Sequence, residues 1–90
     1  MNVKEKTAIK KAHSIEWGEA TWTENSPAEE KEKSIRNRYD KDDGGFNYAG
    51  SGEIPWTDFK EMIFESIKRG HFSKEELDEI YTTINLRKTE

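Results

Sequence analysis

Cysteine is absent from this 90-residue sequence. No disulfide can staple the fold and no thiolate can hold a metal. Apolar residues are scarce as well, at 31% of the chain, and none of their runs approaches the roughly 20 residues needed to span a bilayer. Met1-Asn2-Val3-Lys4-Glu5-Lys6 is followed by no apolar signal-peptide core. The expectation is a cytoplasmic protein with no membrane partner. A chain this short also buries only about two-thirds of the surface its unfolded form exposes, so the core must be thin.

What the sequence does have is charge and aromatic rings. Charged residues make up 38% of it and the net charge is -4; the mean hydropathy is -1.13. Such values border on disorder. Three Trp, four Phe and three Tyr argue for a compact part, because each ring buries a large area. The charge is unevenly spread. Lys4, Lys6, Lys10 and Lys11 give a basic start, and six glutamates face two lysines between residues 14 and 33. A basic tip on an acidic body is not the footprint of a general nucleic-acid binder.

The clearest periodicity lies in the last third. Phe59, Met62, Ile63 and Ile67 share one helical face. Thr57 caps its start, and Gly70 supplies the left-handed residue that ends a helix cheaply. Ser73 with Glu76 forms a capping box, with Phe72 and Leu77 as its hydrophobic staple. Leu77, Ile80, Tyr81 and Ile84 repeat the helical spacing. Two helices joined by about four residues are expected to fold back as an αα-hairpin over 57–85.

A third helix is expected over 27–39, from Ser26 as cap, Pro27 at the first position and Glu29 closing a second capping box. Residues 40–54 break helix through Gly44, Gly45, Gly50 and Gly52, and read equally as a hairpin turning near Gly50-Ser51 or as a plain loop. At the N-terminus, residues 4–16 fit a helix with Ala8, Ile9 and Ala12 inward. Alternatively Ile15, Trp17, Ala20 and Trp22 fit a hairpin turning at Gly18-Glu19. The expected fold is therefore mostly α: an α-rich small single domain over 1–90 with a C-terminal αα-hairpin and a loose 1–14. It becomes α+β if one or two short β-hairpins form.

Candidate chemistry is sparse. His13 and His71 stand alone, without a second ligand at metal spacing, and no Ser is set in a nucleophile motif. A non-enzymatic protein without cofactor is the expectation. Asp40, Asp42 and Asp43 cluster, but no phosphate-cradling loop accompanies them. The helical hairpin superficially suggests a DNA-reading motif, yet its second helix would present Glu75, Glu76, Asp78 and Glu79, which repel phosphate.

The segment Gly50-Ser51-Gly52-Glu53-Ile54, followed by Asp58-Phe59-Lys60-Glu61-Met62-Ile63, resembles the second half of an EF-hand loop and its exiting helix. The resemblance implies Gly52 as the sharp turn, Ile54 as the sheet residue and Asp58 as the closing acid. The first half departs from the pattern, since Ala49 falls where a ligand belongs. A degenerate calcium module, with Asp40, Asp42 and Asp58 as the metal candidates, is thus one alternative. A nucleic-acid-binding accessory protein using the N-terminal lysines is another.

The leading expectation rests on the aromatics outside the patterned helices: Trp17, Trp22, Tyr48 and Trp56. With Glu29 and Glu30 in the acidic stretch, they are the candidate partner-binding residues, since Trp and Tyr dominate binding hot spots. The chain reads as a small acidic protein-interaction module, a regulator, adaptor or inhibitor of a larger macromolecule. Phage and mobile-element proteins are often of this size and style, and an acidic surface of this kind can mimic nucleic acid. Another protein is the expected partner, and self-association would add stability to a thin core.

Overall fold

The computed structural model describes residues 1–89. Its first unit, Met1–Phe59, is built on four antiparallel strands in sequential order. These are β1 (Asn2–Lys10), β2 (His13–Glu19), β3 (Lys33–Tyr39) and β4 (Glu53–Pro55). Two single 3-10 turns, Thr21–Thr23 and Ala28–Glu30, interrupt the connection from β2 to β3. Two helices follow, α1 (Trp56–Lys68) and α2 (Lys74–Lys88). The fold is α+β, which corrects the mostly-α expectation.

The overturned elements have one physical cause: polar side chains on the buried side of the sheet. In antiparallel strands, opposed residues share a face. Glu16 opposes Arg36, Ser14 opposes Arg38, and Gly18 opposes Ser34. Ser14, Glu16 and Ser34 are buried, alongside Ala20 and Ile35. Alternation of burial is therefore clear in β2, but it is carried by Ser, Glu and Gly rather than by apolar residues. Residues 33–39, expected as helix, are strand β3. The Ser26-Pro27 signal starts only the 3-10 turn Ala28–Glu30, with no side-chain cap bond.

The hairpin turn also lies elsewhere than expected. Chain reversal occurs at Lys11-Ala12, between the paired Lys10 and His13, and Ala12 takes a left-handed φ of 60°. Gly18 and Glu19 lie inside β2. Of the two readings of 40–54, the loop holds. β4 pairs with β3 through Ile54 and Ile35, and Phe46 makes only an isolated bridge to Asp40. Ser51 ties this loop down: its hydroxyl accepts from the Tyr39 N–H at 2.8 Å and donates to the Tyr39 carbonyl at 3.2 Å.

The second unit, Lys60–Glu90, contains the rest of α1 and all of α2. Both local boundary signals are present. Gly70 has φ 73°, with bonds from Gly70 N–H to the Ile67 carbonyl and from His71 N–H to the Ser66 carbonyl, the pattern of a Schellman cap. Ser73 and Glu76 form the reciprocal capping box. The expected folding-back does not follow. The helices form no packed face with each other, and none of their residues is buried.

Candidate protein-binding loop

The connection from β2 to β3 is closed at its base by the Ala20 N–H donating to the Glu32 carbonyl at 2.9 Å. A compact loop with its ends joined in this way is a common carrier of function. Residues 21–32 hold four glutamates against one lysine. The loop is internally braced. Lys31 Nζ donates to the Glu24 carbonyl at 2.8 Å and the Thr23 carbonyl at 3.3 Å, and the Glu32 N–H donates to Thr23 Oγ1 at 3.1 Å.

Trp22 rides on this brace. It is 47% exposed, yet its indole Nε1 donates to Glu32 Oε2 at 2.7 Å. The ring is thereby held in one orientation while much of its surface stays open. Glu29 and Glu30, on the neighbouring 3-10 turn, are exposed. Beside the loop lies a pocket of about 270 Å³ whose lining includes Trp17, Ala28, Lys31 and Glu32. Trp22, Glu29 and Glu30 thus lie on the loop itself, and Trp17 lines the pocket beside it.

The other two lie on other segments of the chain. Trp56 opens α1, packs on Phe59 with ring centroids 5.4 Å apart, and carries Lys33 Nζ over its face at 4.5 Å. Tyr48 is 83% exposed and touches Phe46 edge-on. Phe46 in turn covers the guanidinium groups of Arg36 and Arg38, each 4.6 Å from its centroid.

The residue that anchors the loop to the sheet is one that sequence reasoning missed. Glu53 on β4 accepts from the Thr21 N–H at 3.0 Å, the Thr21 hydroxyl at 2.7 Å and the Ser34 hydroxyl at 2.7 Å. The Met1 ammonium lies 3.7 Å away and also donates to Thr21 Oγ1. Partial burial pushes the Glu53 carboxyl up, but the hydrogen bonds from Ser34 and Thr21 and the ammonium charge outweigh it. The net result is a carboxyl held below its ordinary range. Thr21 and Glu53 are 32 positions apart, so no local signal in the sequence links them. The partner of the indole, Glu32, was likewise only one acid among several.

The metal candidates are not assembled. Asp40 accepts from Arg38 Nε at 2.9 Å, Asp42 sits in an exposed turn, and Asp58 is exposed in the first turn of α1. Among the described residues no three His, Cys, Asp or Glu side chains form a metal-holding group. Strand β3 occupies the place of the entering helix that the EF-hand resemblance requires, and the left-handed glycines are Gly44 and Gly70 rather than Gly52. No helix of the described residues is long and apolar enough to cross a membrane.

No protein-family model, curated protein or solved structure matches this chain.

Proposed function

We propose that this chain is a protein-interaction module that regulates, adapts or inhibits a larger macromolecule through the 21–32 loop. The observation that carries the reading is Trp22, half open to solvent yet oriented by Glu32 on an acidic, internally braced loop. Preorganisation of this kind lowers the entropy lost on binding. A large ring then supplies contact area with few torsions to freeze. Glu24, Glu29 and Glu30 around it select a basic partner surface, which charge complementarity favours in both encounter rate and specificity.

The test is affinity capture from lysate, with and without nuclease treatment, using the intact chain, the Trp22→Ala variant and the Glu29→Gln/Glu30→Gln variant. The reading requires one protein to be retained by the intact chain. Trp22→Ala weakens its binding by roughly thirtyfold, the scale of a 2 kcal/mol hot spot. Glu29→Gln/Glu30→Gln leaves a complex that salt weakens less, since fewer charges are screened. Capture that ignores both changes removes the loop from the interface, and capture lost on nuclease treatment replaces the protein partner with nucleic acid.

A further inference from the structure

The second unit poses a problem that the loop does not solve. α1 and α2 are 13 and 15 residues long, a length at which an isolated helix is marginal in water. Neither buries a residue, although each carries an apolar stripe. On α2 the stripe is Leu77, Ile80, Tyr81 and Ile84, with Tyr81 68% and Ile84 49% exposed. On α1, Met62 and Ile67 stay open. Exposed apolar surface of this extent marks an interface. The two stripes do not satisfy each other within one chain. The Schellman cap at Gly70 and the capping box at Ser73 fix the connector from both sides.

The charge pattern identifies the occupant. Flanking the α2 stripe are Glu76 and Asp78 in its first half, with Lys74 at the very start, and Arg87 and Lys88 in its last turn. A second α2 laid antiparallel sets each acidic half against a basic end, while the apolar stripes meet in the middle. A parallel arrangement sets acid against acid and base against base. The antiparallel pairing is self-complementary, as a twofold interface must be, and helix pairs of this kind pack through such stripes. We infer that two copies of this chain dimerise through their C-terminal helices, with α2 antiparallel to α2 of the second copy. None of the residues invoked belongs to the 21–32 loop.

The absence of cysteine permits a direct test. Sedimentation equilibrium of the full chain across a concentration series is expected to give about twice the 10.5 kDa chain mass, falling to the single mass in Ile84→Asp. Single-cysteine chains Asp78→Cys and Lys88→Cys, both positions on one flank of the stripe, mixed and air-oxidised, are expected to form the mixed disulfide well ahead of either symmetric one. Trp22→Ala is expected to leave the mass and the cross-link unchanged, which keeps this result independent of the loop reading. Circular dichroism of each variant separates loss of pairing from loss of the helices. A chain that stays monomeric at all concentrations with its helices formed overturns the inference. So does a dimer that prefers symmetric cross-links, or a monomer whose helices are covered only when a different protein is added.

Discussion

Glu16 on β2 and Arg36 on β3 are directly opposed, and the Glu16 carboxylate accepts from Arg36 Nε at 2.9 Å and Nη2 at 2.6 Å. Its other oxygen accepts from Arg38 Nη1 at 3.2 Å, and the residue is only 2% exposed. One carboxylate thus bridges two guanidinium groups beneath the Phe46 ring, and Asp40 pairs with the second of them. Removing Glu16 takes the carboxylate partner from the partly desolvated Arg36 and leaves Arg38 with Asp40. Glu16→Ala is expected to cost about 3 kcal/mol, the lower end for breaking a buried pair because the guanidiniums keep some water. Urea unfolding measures it. Replacing the pair together, Glu16→Met with Arg36→Leu, is expected to recover much of that loss, since a packed apolar pair needs no desolvation. A double variant as unstable as Glu16→Ala would show that the charges themselves are indispensable to the fold.

Gly18 is fixed by a neighbouring backbone rather than by its own torsions. A Cβ built there falls 2.1 Å from the Asn2 carbonyl oxygen and 2.9 Å from the Val3 Cα. These are main-chain atoms of β1, so the strand itself has to move. Gly18→Ala is expected to destabilise by about 1–3 kcal/mol, the range for overpacking. Amide exchange is expected to speed up first along Asn2–Lys10. Unchanged exchange in that strand would mean that β1 does not approach β2 this closely.

Ala12 presents the opposite case. Its φ of 60° in the β1–β2 turn is unfavourable for a residue with a Cβ. Ala12→Gly is expected to raise stability by up to about 1 kcal/mol, because relief of the strain exceeds the extra backbone entropy glycine loses on folding. Thermal unfolding reads the sign. A lower midpoint would place the strain elsewhere in the turn.

These cases also show why the helices were legible in the sequence and the sheet was not. Gly70 and the Ser73–Glu76 box act within a few residues of the helix ends they define, so spacing alone reveals them. On the Glu16 side of β3, Ser34 is buried and Arg36 and Arg38 are half-buried, and Arg36 is acceptable there only because Glu16 opposes it 20 positions away. No local pattern carries that information. Ser26-Pro27-Ala28-Glu29 signalled a helix that the strand pairing overrode after a single turn. Composition singles out Trp17, Trp22, Tyr48, Trp56, Glu29 and Glu30, as aromatics and acids outside the helical pattern. That the ends of the 21–32 loop meet, from Ala20 to Glu32, is not written in any local pattern. The short connector between two striped helices predicts that α1 packs on α2. Such stripes specify that a partner is needed, not that it lies in the same chain.

Glu53 couples the loop to pH, and the sign follows from its environment. Its carboxyl is held below the ordinary range in the folded chain, burial being outweighed by the bonds from Ser34 and Thr21. The folded state therefore prefers the ionised form more than the unfolded chain does. This contribution is fully present above the ordinary glutamate value of about 4.3. It is lost as pH falls from there through the lower folded value. At neutral pH the Thr21 anchor is intact. On acidification below about pH 4, the start of the 21–32 loop is expected to loosen, with faster exchange of the Thr21 amide and a red shift of Trp22 emission. Trp17→Phe/Trp56→Phe leaves Trp22 as the sole reporter. Glu53→Gln is expected to show the loosened loop already at pH 7 and to lose that part of the acid dependence. A Trp22 signal that titrates identically with Glu53 and with Gln at this position would assign the acid response to other carboxylates.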